Sequence, residues 1–166
     1  MLDIFKKAEP AADQTDTVRR IVEALDRLEP DRARYLASFA YVLSRVAHAD
    51  LKVTPEETRA MERIVAEHGE LPEEQAIIVV QIAKHQSLLF GATEDFLVTR
   101  EFNKVSSHEQ KQALLDCLFA VAAAGSLITV AEDNAIRQIC SELGLPHQDF
   151  IAIRSRYRDH LAVLKS

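Results

Sequence analysis

Val46 to Gly69, VAHADLKVTPEETRAMERIVAEHG, is the stretch whose reading decides the fold, because a looser copy, VAAAGSLITVAEDNAIRQICSELG, runs from Val121 to Gly144. At a constant offset of 75 residues Ala49 falls on Ala124, Val53 on Ile128, Thr54 on Thr129, Glu57 on Glu132, Ala60 on Ala135, Ile64 on Ile139 and Gly69 on Gly144. Leu71-Pro72 and Leu145-Pro146 follow within two residues of those glycines, and each opens another apolar helical pattern. Self-similarity at a fixed separation marks a repeated supersecondary unit. Each unit reads as helix, short loop, capped helix, Gly-Leu-Pro break and helix, over about residues 31–90 and 106–164.

Working outward, every segment carries a helical period. Val18, Ile21, Val22, Leu25 and Leu28 recur at threes and fours, and Glu29-Pro30 ends that run. Leu36, Phe39, Ala40, Leu43 and Val46 form the next stripe, with Arg32, Arg34 and Arg45 expected on its solvated face. Thr54-Pro55-Glu56-Glu57 has the chemistry of a helix start. Threonine caps the N3 amide, proline at N1 gives up no useful donor, and Glu57 reaches back to the cap amide. Thr129 and Glu132 repeat the box without the proline, and Ser107 with Gln110 supplies another. A helix from about Pro72 to Leu89 carries Ile77, Ile78, Val80, Ile82 and Leu88. Thr93 caps a short connector containing Phe96, Leu97 and Phe102. LLDCLFAVAAAG suits the centre of the domain. Ala135, Ile136, Ile139 and Leu143 mark the seventh helix, and Phe150, Ile151, Ile153, Tyr157 and Leu161 the eighth. The expectation is an all-α fold of seven to eight helices in two pseudo-symmetric repeats: one domain over residues 14–166 after a frayed segment at 1–13.

Composition agrees. Four glycines and five prolines in 166 residues are too few for a chain of many turns, and 48% hydrophobic residues suffice for one core. A net charge of -6 gives no electrostatic footprint for nucleic acid. Between Asp50 and Glu74 eight carboxylates stand against three cations, whereas Arg154, Arg156, Arg158 and Lys165 gather near the end, read as solvated faces. Cys117 and Cys140 lie in apolar helical stretches without CxxC spacing, so buried, reduced thiols and a cytoplasmic setting are expected. Residues 1–7, MLDIFKK, do not make a signal peptide, and no apolar run approaches the ~18 residues of a spanning helix.

Chemistry concentrates in the loop Ala49 to Glu57. Asp50 leaves one helix while Glu56 and Glu57 open the next, so a tight loop brings three carboxylates toward one point. Oxygen-only ligands suit a hard cation, calcium or magnesium rather than zinc. The competing account needs no ion: Thr54 and Glu57 satisfy orphan amides, and Asp50 and Glu56 favour the positive helix end. The EF-hand calcium loop is absent. His48 with Asp50 makes a lone HxD pair, the other histidines lack ligand spacing, and neither a nucleophile motif nor a phosphate loop occurs.

With those residues in view, the A-D-x-x-V-T-x-E-E pattern opening a helix, duplicated in an all-helical domain, resembles the tellurite-resistance TerB family, whose members carry A-D-G-x-[VI]-x-x-x-E twice. The resemblance covers about residues 31–145. It implies a pseudo-symmetric helical fold with an acidic surface, and metal-binding roles for Asp50, Glu57 and Glu132. Leu51 replaces the motif glycine, and the second copy, Ala124-Gly125-Ser126, lacks the aspartate. The resulting expectation is a non-enzymatic interaction or sensing module in a metal or envelope stress response. A divalent cation would sit at Asp50, Glu56, Glu57 and Glu132. A protein partner is expected, at or near the inner membrane, and self-association is compatible with an acidic and a basic end. The alternatives are a metal-dependent enzyme using Asp50, Glu56 and Glu57, and a structural scaffold with no ion.

Overall fold

The computed structural model describes residues 12–47, 54–86, 89, 95–125 and 127–164, and the described elements are helical. In order they are α1 (Ala12–Asp26), α2 (Pro30–Ala47), α3 (Pro55–His68), α4 (Glu73–Lys84), α5 (Asp95–Val105), α6 (His108–Ala123), α7 (Val130–Glu142) and α8 (His147–Ser155), then 3-10 turns at Arg158–His160 and Ala162–Leu164. Among the described residues this is an all-α bundle of eight α-helices.

α2 is the central helix. It packs on α4, α5, α6 and α7, and Leu36, Phe39, Ala40, Val42 and Leu43 are fully buried. Its burial runs around the helix rather than along one stripe, as expected for a helix surrounded by others. Tyr35, Phe39 and Phe102 of α5 form an aromatic cluster with centroids 5.3–6.2 Å apart. α6 is the second buried helix, against α3, α2, α8 and α7, with Phe119 stacked on Tyr157 at 5.6 Å.

Several expectations change. Arg45 and Arg32 are half-buried and held by side chains of other helices, not free on a solvated face. Arg45 bonds Thr99 (2.9 Å) and both Glu142 oxygens (2.9 and 3.1 Å), tying α2 to α5 and α7. Arg32 bonds Gln75 of α4 and lies over the Tyr35 ring. Nor is Arg154 part of a free basic face, because Asp133 of α7 takes its guanidinium bidentately at 3.0 and 2.8 Å. The last helix stops at Ser155. Leu161 is extended, and a single parallel bridge joins it to Ile128, whose amide donates to His160 O while Ala162 N donates back. α4 begins after Pro72 and ends at Lys84, and Ile77, Leu97 and Ile151 are exposed. Leu88, Thr93 and residues 1–11 lie outside the described residues, Ala12 and Asp13 of the expected frayed segment open α1, and of Phe96 only the backbone is described.

The two glycines equated in the sequence are not equivalent in space. α3 has 14 residues and α7 has 13, so the copies agree at the cap, Thr54 with Thr129, and differ by one residue at the far end. Both helices close alike: Gly69 N bonds Val65 O and Leu71 N bonds Ala66 O, while Leu143 N bonds Ile139 O and Leu145 N bonds Cys140 O. Gly69 therefore answers to Leu143, and Glu70 to Gly144. The left-handed closing position that usually takes glycine holds Gly144 at φ 69 but Glu70 at φ 55. Gly69 serves close packing instead: a Cβ there would stand 2.5 Å from Val65 O and 2.9 Å from the Phe39 ring.

Candidate functional site

α2 ends at Ala47 and α3 begins after Thr54; Asp50 and His48 lie in the interval outside the described residues. At its far side Thr54 Oγ1 accepts from the Glu57 amide (3.2 Å) and donates to Glu57 Oε1 (3.1 Å). Glu57 thus takes the threonine hydroxyl, where the sequence predicted a bond from the cap amide. Glu56 is exposed, 3.8 Å from Arg59 one turn on. In the second copy the box is complete: Glu132 N donates to Thr129 Oγ1 (3.0 Å), and Glu132 Oε1 accepts from Thr129 N at 2.9 Å. One Glu132 oxygen is therefore committed to its helix. Neighbouring Asp133 is buried with Arg154, so it cannot replace the aspartate missing from that copy. Among the described residues no three His, Cys, Asp or Glu side chains form a metal-holding group.

A constellation that sequence reasoning missed lies where α3, α6 and α8 meet. His68 Nδ1 donates to Asp116 Oδ2 at 2.7 Å, the Tyr157 hydroxyl donates to Asp116 Oδ1 at 2.8 Å, and Arg156 adds a 3.3 Å bond to the same oxygen. Burial first, then the bond to Asp116 and its negative charge, hold the Tyr157 phenol above its ordinary range, so it stays a donor. Burial likewise pushes the Cys117 thiol up, with Asp116 adding to the shift, which leaves that thiol inert. The signal in the sequence is Asp116 itself, one carboxylate inside LLDCLFA. A charge within an apolar helical run needs partners from neighbouring helices.

The cluster borders an open cleft of about 400 Å³, with Glu67, Glu70, Glu109 and Asp149 around it. A second concavity, about 640 Å³, runs along α3 past Arg59, Glu62, Arg63 and Glu73, and Glu67 borders both. Three sets of buried or half-buried charges are used inside the fold: Arg45 with Glu142, Arg154 with Asp133, and Asp116 with three donors. Among the described residues Glu62, Glu67, Glu70, Glu73, Glu74 and Glu109 have no salt-bridge partner. Nor is any described helix long and apolar enough to cross a membrane.

These features define a helical bundle with three side-chain-capped helix starts, structural ion pairs within and exposed glutamates on α3 and α4. The family model described as "Tellurite resistance protein TerB" matches residues 35–155, from α2 to the end of α8. The chain belongs to the TerB family. No curated protein and no solved structure matches it.

Proposed function

We propose that this TerB domain is a non-enzymatic interaction or sensing module that takes a divalent cation, calcium or magnesium before zinc, at the loop between α2 and α3. The observation that supports this is the state of the carboxylates there. Glu56 is exposed with only a distant arginine, and Glu57 keeps an oxygen outside its bond to Thr54. Both stand in the first turn of α3, next to the loop that carries Asp50. Three carboxylates on one short loop match the oxygen ligands a hard cation prefers. Because Glu132 is held by its own cap and its copy lacks the aspartate, the site is one-sided, in the first copy alone.

On this reading the cation stiffens the loop that joins the central helix to α3, and partner binding reports metal status. The setting is cytoplasmic, in a metal or envelope stress response, with a partner at the membrane. The metal-dependent enzyme has less support: the concavity beside the first turn of α3 is bordered by Pro55, Thr58, Arg59, Glu62 and Lys84, not by Glu56 or Glu57. Isothermal calorimetry with calcium, magnesium, zinc and manganese tests the proposal. Binding that disappears in Asp50→Ala is expected. No heat with any of the four ions leaves the structural scaffold as the account.

A further inference from the structure

α1 is attached to the bundle differently from the helices after it. It precedes the residues that the TerB family model matches, 35–155, and packs on α4 and α2. Ile21 and Leu25 are buried, and Val18 and Leu28 are partly buried against the core. Elsewhere charged side chains lock neighbouring helices together: Arg32 of α2 bonds α4, Arg45 of α2 bonds α7, His68 of α3 bonds α6, and Arg154 of α8 bonds α7. No charged side chain of α1 makes such a tie among the described residues. Its ion pair, Arg19 with Asp16, is internal, and Arg20, Glu23 and Asp26 make none.

A helix of 15 residues is marginal by itself in water, so α1 is held in place by the apolar side chains it lays on α4 and α2. α2, in contrast, starts without it. Pro30 is the first residue of α2, and Ala33 N bonds Glu29 O at 2.9 Å, within the three-residue link that follows α1. Opening α1 therefore breaks apolar contact along one face and leaves the ties among α2 to α8 intact. Elements that move in regulated binding are drawn from such weakly held parts of a fold.

We propose that α1 is a displaceable cover, held over a groove of α2 and α4 that otherwise takes an amphipathic helix of a partner protein. α1 itself defines the occupant. Its apolar positions, Val18, Ile21, Leu25 and Leu28, follow the spacing of threes and fours with which a helix fills a hydrophobic groove. Arg19, Arg20, Glu23 and Asp26 are exposed and set no charge requirement. The partner helix is therefore recognised by aliphatic side chains at that spacing. A covering helix on the same chain lowers the partner's apparent affinity in proportion to the fraction of molecules whose groove is covered, so whatever loosens α1 admits the partner. The inference rests on the interaction-module reading and is independent of the cation.

Two measurements on the full chain, both in EDTA, test it. In native-state hydrogen exchange the amides of Ile21 to Asp26 should exchange about 100-fold or more faster than those of Leu36 to Leu43. Equal protection of the two helices would make α1 an integral core element and overturn the proposal. Fluorescence anisotropy then follows a labelled peptide of residues 14–29, added as the stand-in for a partner helix. Leu25→Ala in the chain weakens the cover while the peptide keeps its leucine, so this variant should bind the peptide at least about 30-fold more tightly than wild type. A peptide carrying Ile21→Ser and Leu25→Ser should not bind. The proposal is overturned by a folded Leu25→Ala chain that does not take the peptide, by one that no longer folds, or by equal binding of both peptides. A Leu25→Ala chain that light scattering shows to be a dimer also overturns it, since the groove would then serve a second copy. Calorimetric failure with divalent ions removes the cation reading and leaves this one standing, while failure of the peptide leaves the cation reading untouched.

Discussion

Gly69→Ala is the sharpest perturbation of the fold. The added methyl would meet Val65 O at 2.5 Å, a backbone atom bonded to the Gly69 amide, and the Phe39 ring at 2.9 Å. Neither yields easily. Phe39 is fully buried and packs edge-on to Tyr35 and Phe102. Overpacking a fixed site costs about 1–3 kcal/mol, and this site belongs at the upper end, near about 3. Gly144→Ala places its methyl in open space, so its cost is the left-handed backbone alone, about 1 kcal/mol. Glu70→Gly releases a similar strain and stabilises by up to about 1 kcal/mol. Urea unfolding should therefore rank Glu70→Gly at or above wild type, then Gly144→Ala, then Gly69→Ala, with the last midpoint lower by roughly 1 M. If Gly69→Ala is no more destabilised than Gly144→Ala, the assignment of packing to one glycine and turn geometry to the other is wrong.

Three further outcomes follow from the buried charges and caps. Burial pushes the Glu142 carboxyl up, but bonds from Arg45 and its charge, with help from Thr99, outweigh burial and hold it below the usual range. Its stabilisation is complete above the unfolded carboxyl value of about 4.3 and fades as pH falls through the lower folded value, so Glu142→Gln should be weaker at pH 7 yet lose less between pH 5 and 3 in urea melts. Asp133→Ala strands Arg154, whose side chain is 19% exposed, and should cost about 2–3 kcal/mol by thermal melting, with Asp133→Leu plus Arg154→Met less damaging than the single change. Thr129→Ala removes a hydroxyl from a reciprocal box and should cost about 1 kcal/mol in urea unfolding.

The helices were legible because their signals are local. Thr54, Ser107 and Thr129 cap where the sequence places them, and the stripes Ile21/Leu25 and Ile136/Ile139 are buried. What failed was what depends on a neighbour. Arg45 and Arg154 look like solvated charges in their own helices; only Glu142 and Asp133, brought from α7, make them internal. Asp133 did carry a hint, lying on the stripe of Ile136 and Cys140. The glycine pairing failed because one extra residue inside α3 changes no local signal yet shifts Gly69 from the turn into the helix end. Of the candidate site, Glu56, Glu57 and Glu132 were placed correctly at helix starts. The cluster of His68, Asp116 and Tyr157 was hidden because its members come from three distant segments.

Amide spectra of the ¹⁵N-labelled protein titrated with calcium and magnesium test the central claim, a one-sided cation loop in front of α3. The account predicts saturable shifts at the amides of Thr54, Glu56 and Glu57, lost in Asp50→Ala, with Thr129 to Glu132 still. Spectra that do not move, or that move equally at both helix starts, would contradict it.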